Sequence, residues 1–67
     1  MRLKSLRKEQ KKKKKAVAAS IGCSVNTYSR YERGDRQPDI ATLKLLSKYF
    51  GVTIDYIVGN DIFPEEV

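Results

Sequence analysis

Histidine is absent from this 67-residue chain, and cysteine occurs once, at Cys23. A lone thiol cannot close an internal disulfide. Without histidine or a second cysteine no zinc site of ordinary ligand spacing can be assembled, so neither a metal nor a cofactor is expected. Long apolar runs are missing as well. None approaches the roughly 18 residues that a membrane span requires, and the charged N-terminus is not followed by the apolar stretch of a signal peptide. These absences predict a protein of the reducing cytoplasm that stands on side-chain packing alone. Length is scarce too: one domain with a modest core fits, and a second catalytic or ligand-sensing domain does not, so no small-molecule ligand is expected. Nor is an enzyme, because no nucleophile paired with a base and no phosphate-cradling glycine loop is present.

What the chain has in excess is positive charge, with 14 Lys and Arg against 8 Asp and Glu, a net of +6. The charge is unevenly placed. Residues 1–36 carry 12 basic and 3 acidic groups, net +9, whereas residues 37–67 carry 2 and 5, net −3. One end of the molecule is built to meet a polyanion. Nucleic acid is the commonest such partner, although an anionic membrane surface or an acidic protein answers the same electrostatics.

The apolar spacing predicts five helices. Leu3 and Leu6 stand three apart among charged residues between Arg2 and Gln10, as on a short amphipathic helix. Lys11 to Lys15 come next, and neighbouring like charges give the first half of this run the look of a solvated linker. Val17, Ala18 and Ile21 then share a helical face, and Gly22 ends that helix. Ser24 is placed to cap a third helix by accepting from the amide of Asn26 or Thr27, and the helix runs to about Arg33 before Gly34. Asp35 to Pro38 is a polar turn, the proline holding Gln37 extended. Asp39 caps a fourth helix carrying Ile40, Leu43, Leu46 and Phe50, closed by Gly51. Thr53 opens a fifth with Ile54, Ile57 and Val58, stopped by Gly59. The domain is therefore expected over residues 1–59, with an acidic C-terminal tail over 60–67.

Residues 14–33 have the plan of a helix-turn-helix, in which the first of two short helices braces the second against a duplex. Val17, Ala18, Ile21, Cys23, Tyr28 and Tyr31 are its apolar positions, and the small Ala18 lets the two helices approach closely. Tyr28 and Tyr31 read as core rather than as base-stacking platforms, and Cys23 as a small buried apolar residue. Val25, Asn26, Ser29, Arg30 and Arg33 are left on the outward face of the third helix. Their chemistry suits a major groove: Asn pairs with adenine, Arg with guanine, and Val touches a thymine methyl. The same side chains, taken singly, also suit any solvated helix face.

The order and spacing of Leu6-Arg7, Val17-Ala18, Gly22-Cys23-Ser24, Tyr31-Glu32-Arg33-Gly34, Gln37-Pro38-Asp39 and Phe50-Gly51-Val52-Thr53 resemble the Cro and phage-repressor type of helix-turn-helix domain, also called the xenobiotic-response-element family. The resemblance spans residues 3–59. It implies an all-α, five-helix, lambda-repressor-like DNA-binding domain whose third helix reads bases through Val25, Asn26, Ser29 and Arg30. It implies phosphate contacts from Lys14, Thr27, Arg33, Arg36 and Gln37, and an ion pair between Arg7 and Glu32. The departure from the family is at the start of the second helix, where Lys12, Lys13 and Lys14 replace the usual apolar, hydroxyl and Gln residues. Losing a hydroxyl cap costs roughly 0.5–2 kcal/mol, and Lys beside a helix N-terminus opposes the macrodipole.

The resulting expectation is a sequence-specific, double-stranded DNA-binding transcriptional regulator, a repressor rather than an activator, in the cytoplasm of a bacterial or phage-infected cell. A homodimer on DNA is expected, with Ile54, Ile57, Val58 and Ile62 at its surface. Two other readings are an antitoxin or an excised domain of a longer repressor, and a protein-interaction module that keeps the fold without reading DNA.

Overall fold

Leucines, isoleucines and tyrosines recurring at three and four residues can bury one stripe of a helix only against another helix, and here each helix supplies part of one shared core. The computed structural model describes residues 1–59, folded as α1 (Leu3–Glu9), α2 (Lys14–Ile21), α3 (Val25–Arg33), α4 (Ile40–Phe50) and α5 (Ile54–Val58). The all-helical, five-helix expectation holds, and no strand occurs among the described residues. Packing runs α1 on α3, α3 on α2, α2 on α4 and α4 on α5.

Local chemistry defines the last three helices. The Ser24 hydroxyl accepts from Thr27 N at 3.1 Å, Asp39 Oδ1 from Thr42 N at 2.8 Å, and Thr53 Oγ1 from Tyr56 N at 3.0 Å. Each satisfies an amide that the first turn leaves without an intrahelical acceptor. Neither α1 nor α2 has a side-chain cap: Arg2 and Lys13 occupy those positions without a capping bond. At the other end of α2, Gly22 adopts φ 74°, and the next amide, Cys23 N, returns to the Ala18 carbonyl at 3.0 Å. A side chain there would be strained by the left-handed backbone, so glycine makes the sharp turn into α3 inexpensive.

The lysine run is a folded turn rather than a linker. Lys11 N donates to the Lys8 carbonyl at 3.1 Å and Lys12 N to the Arg7 carbonyl at 2.9 Å, the paired bonds of a Schellman motif closing α1. Lys11 takes the left-handed position at φ 56°, which glycine ordinarily occupies. Charge repulsion within the run is outweighed because the turn satisfies backbone carbonyls and because Arg7 Nη1 donates to the Lys12 carbonyl at 3.2 Å. Lys12 is itself exposed, and its ammonium lies 5.7 Å from the centre of the Tyr49 ring.

The core comprises Leu3 and Leu6 of α1, Val17, Ala18 and Ile21 of α2, Tyr28 and Tyr31 of α3, Leu43, Leu46 and Phe50 of α4, and Ile57 of α5. A fully buried leucine such as Leu3 or Leu46 contributes roughly 1.5–3 kcal/mol. Two sequence expectations change. Ile40, counted with the apolar stripe of α4, is 64% exposed because it opens the helix before the stripe reaches the core. Ile57, expected at a dimer surface, has no exposed area: α5 turns it inward against the core. Ile62, expected at the same surface, lies outside the described residues.

Long-range bonds bind the first helix to the last two. Arg2 N donates to the Ile57 carbonyl at 2.8 Å and Arg2 Nε to the Tyr56 carbonyl at 2.9 Å, with the guanidinium 4.7 Å from the Tyr56 ring centre. Gln10 Nε2 donates to the Phe50 carbonyl at 2.9 Å, supplying a partner to the C-terminal end of α4.

Candidate nucleic-acid interface

A helix that is to reach into a groove must be held from behind, and α3 is held by its two tyrosines. Tyr28 is fully buried and Tyr31 is 7% exposed, while Val25, Asn26, Arg30 and Arg33 are exposed on the other face and Ser29 is half-buried between the two. This division follows the helical period, and the packing of Val17, Ala18 and Ile21 from α2 behind α3 fixes it. Ala18 is 1% exposed at the corner, where a larger side chain would force the helices apart. Cys23 is only partly buried, packed against the core from the turn, so the expectation of a buried cysteine is corrected to a half-buried one. Burial pushes its thiol pKa up.

Behind α3 lies a charged strap. Arg7 Nε donates to Glu32 Oε2 at 2.6 Å and Nη2 to Oε1 at 3.3 Å, a two-pronged pair whose side chains are 13% and 3% exposed. The hydrogen bond to Glu32 raises the Arg7 pKa against the opposing effect of burial. For Glu32, burial pushes the pKa up, but Arg7, the nearby Tyr28 hydroxyl and the field of Lys14 together hold it below the usual carboxylate value. The Tyr28 hydroxyl is buried beside this pair without a hydrogen bond of standard geometry, and desolvation, followed by its polar contact with Glu32 and then the Glu32 charge, raises its pKa. Through Arg7, the strap also reaches the carbonyl of Lys12 and so ties α1, the lysine turn and α3 together.

The residues expected to meet phosphate lie at the ends of the same pair of helices. Lys14 begins α2 and is half-buried, and its charge is felt at Glu32 of α3. Thr27 is half-buried in the first turn of α3, its Oγ1 accepting from the Ser24 hydroxyl at 3.1 Å, which leaves its own O–H to donate outward. Arg33 ends α3, and Arg36 and Gln37 are exposed in the turn beyond it. Sequence reasoning missed one member of this edge: Arg33 Nε donates to Asp35 Oδ2 at 3.0 Å. Its signal was an acid two residues beyond a basic one, across a glycine that reverses the chain.

The geometry is that of two short helices joined by a glycine turn, the second presenting a polar and basic face. A family model described as helix-turn-helix matches residues 3–57. The chain belongs to the helix-turn-helix family. Among its helix-turn-helix relatives, the cryptic phage CTXphi transcriptional repressor RstR of Vibrio cholerae is 36% identical over 59 residues, covering 88% of this chain and 53% of that protein. The HTH-type transcriptional regulator ImmR of Bacillus subtilis (strain 168) is 38% identical over 60 residues, covering 90% of this chain and 47% of ImmR. The HTH-type transcriptional regulator AnsR of the same organism is 33% identical over 60 residues, covering 90% and 52%. The chain thus spans about half the length of these helix-turn-helix regulators. No solved structure matches it.

Proposed function

We propose that this chain is a sequence-specific double-stranded DNA-binding unit of a transcriptional regulator, acting as a repressor in the cytoplasm and without enzymatic activity. The observation that carries the reading is the division of α3: Tyr28 and Tyr31 anchor it, Val25, Asn26 and Arg30 stand exposed on the other face, and Ser29 is half-buried between the two. Asn26 and Arg30 offer bidentate contacts to adenine and guanine, and Val25 offers apolar contact to a thymine methyl. Lys14, Thr27, Arg33, Arg36 and Gln37 fix the register of the helix through phosphates, which carry no base information. The repressor name of one relative, RstR, the regulator names of ImmR and AnsR, and the matched family support the assignment.

Residues 1–59 form the binding unit in this reading, and it works as a homodimer, because a single small domain touches few base pairs. Half-sites should lie about one helical turn apart, roughly 34–36 Å. Ile54 and Val58, both partly exposed on α5, are the apolar residues there that remain available for the contact. Selection of bound duplexes from a random pool tests the proposal. Enrichment of a twofold-related motif, bound about 10³-fold or more tighter than scrambled duplex, supports it. Salt-suppressed binding with no enriched motif would mean a basic surface that does not read sequence.

A further inference from the structure

We propose that Asp35 is a positioning residue that competes with DNA phosphate for the Arg33 guanidinium and so limits the affinity of the whole interface. The proposal rests on the DNA-binding reading above and concerns how strongly that surface is allowed to bind.

The contact is built by the backbone. Gly34 adopts φ 84° and the amide of Asp35 returns to the Arg30 carbonyl at 3.0 Å, which brings the Asp35 carboxylate back alongside the last residue of α3. Asp35 Oδ2 then accepts from Arg33 Nε at 3.0 Å. A guanidinium grips a phosphate best through two parallel N–H groups. With Nε engaged, only the edge between the two Nη groups is left for a two-pronged grip, and the carboxylate beside it repels any phosphate that approaches. Arg33 and Arg36 flank Asp35 in sequence, and Asp35 is the one acidic residue of the turn between α3 and the Asp39 cap of α4.

Both side chains stay in solvent, Arg33 at 64% and Asp35 at 57% exposed. An ion pair so exposed is weak, so it can be exchanged for a phosphate when α3 docks. Asp35 therefore acts as a brake and not as a lock. Because phosphates are the same at every base pair, the brake applies equally to selected and unrelated sequences. Its consequence is that less of the protein is retained on bulk DNA.

The test is equilibrium binding of the whole chain to one selected and one scrambled duplex across a salt series, for the native sequence, Asp35→Asn, Arg33→Gln and the double variant. Asp35→Asn is expected to tighten both duplexes by the same factor, about two- to fivefold. The slope of log affinity against log salt should shift by much less than the about 0.9 of a whole phosphate contact, because Arg33 reaches phosphate on docking with or without the Asp35 charge. In the Arg33→Gln background the same change should do far less, and Asp35→Ser should reproduce Asp35→Asn. Equal tightening with and without Arg33 would assign the effect to diffuse charge and overturn the proposal, as would unaltered affinity or tightening on the selected duplex alone. Failure of the native chain to bind either duplex is a separate result: it overturns the DNA-binding reading and this proposal with it.

Discussion

Helices α1 and α2 start without a side-chain cap and are surrounded by lysine, whereas α3, α4 and α5 each start on a serine, aspartate or threonine that accepts from the first turn. The two halves are stabilised in different ways. In the second, the instructions are local: cap, apolar stripe, terminal glycine. In the first, no cap is present and long-range bonds join α1 to the rest of the fold, through Arg2 to α5, Gln10 to the end of α4, and Arg7 to Glu32. Lys13 holds the cap position of α2 without a capping bond, and its positive charge opposes the helix dipole.

The largest break in this comparison should come from Arg7→Ala. It leaves Glu32, whose side chain is 3% exposed, without its ion-pair partner, and removing one member of a buried pair costs about 3–5 kcal/mol. Urea unfolding measures it, and a loss below about 1 kcal/mol would mean that α1 is held by apolar packing alone. The native pair also predicts a pH dependence. The Glu32 pKa is depressed in the folded chain, so its contribution is fully present above the ordinary carboxyl value of 4.5 and is lost as pH falls through the folded pKa. Glu32→Gln should remove that acid-linked loss.

Caps give the next effect. Ser24→Ala should destabilise by roughly 0.5–2 kcal/mol, and Lys13→Ser should stabilise by a comparable amount by giving α2 the cap it lacks. If Lys13→Ser gains nothing, α2 is not limited by its N-terminus and the contrast between the halves fails. Smaller again is Lys11→Gly, which relieves a left-handed side chain and should raise stability by roughly 0.4–1 kcal/mol in thermal unfolding. A loss of stability would show that the Lys11 side chain makes a contribution larger than its strain.

The same contrast explains what could be read from the sequence. Ser24, Asp39 and Thr53 cap amides that lie only three residues further along the chain, and the glycines at 22, 34, 51 and 59 end helices for equally local reasons, so those boundaries were legible. The outward placing of Val25, Asn26 and Arg30 was legible as well, since fixing Tyr28 and Tyr31 inside determines the opposite face, whereas Ser29, expected on that face, is half-buried at its edge. The fate of the lysine run was not legible. Its turn depends on Arg7, Lys8 and a left-handed lysine, which composition reads as repulsion. Ile40 and Ile57 exchanged their expected surroundings because period alone says which residues share a face, not where along a helix the core begins or how a five-residue helix is rolled. The Arg33–Asp35 contact needed the reversal at Gly34 before it could be seen.

The central claim is that α3 reads bases while its end holds phosphate. It is tested most directly by measuring base preference at every position of a selected site for Asn26→Ala, Arg30→Ala and Arg33→Ala. The account predicts that Asn26→Ala and Arg30→Ala each relax preference at one or two defined positions, at about 1–3 kcal/mol where a bidentate contact is lost, while Arg33→Ala weakens all sequences alike. The same uniform loss for all three variants, with base preference unchanged, would contradict it.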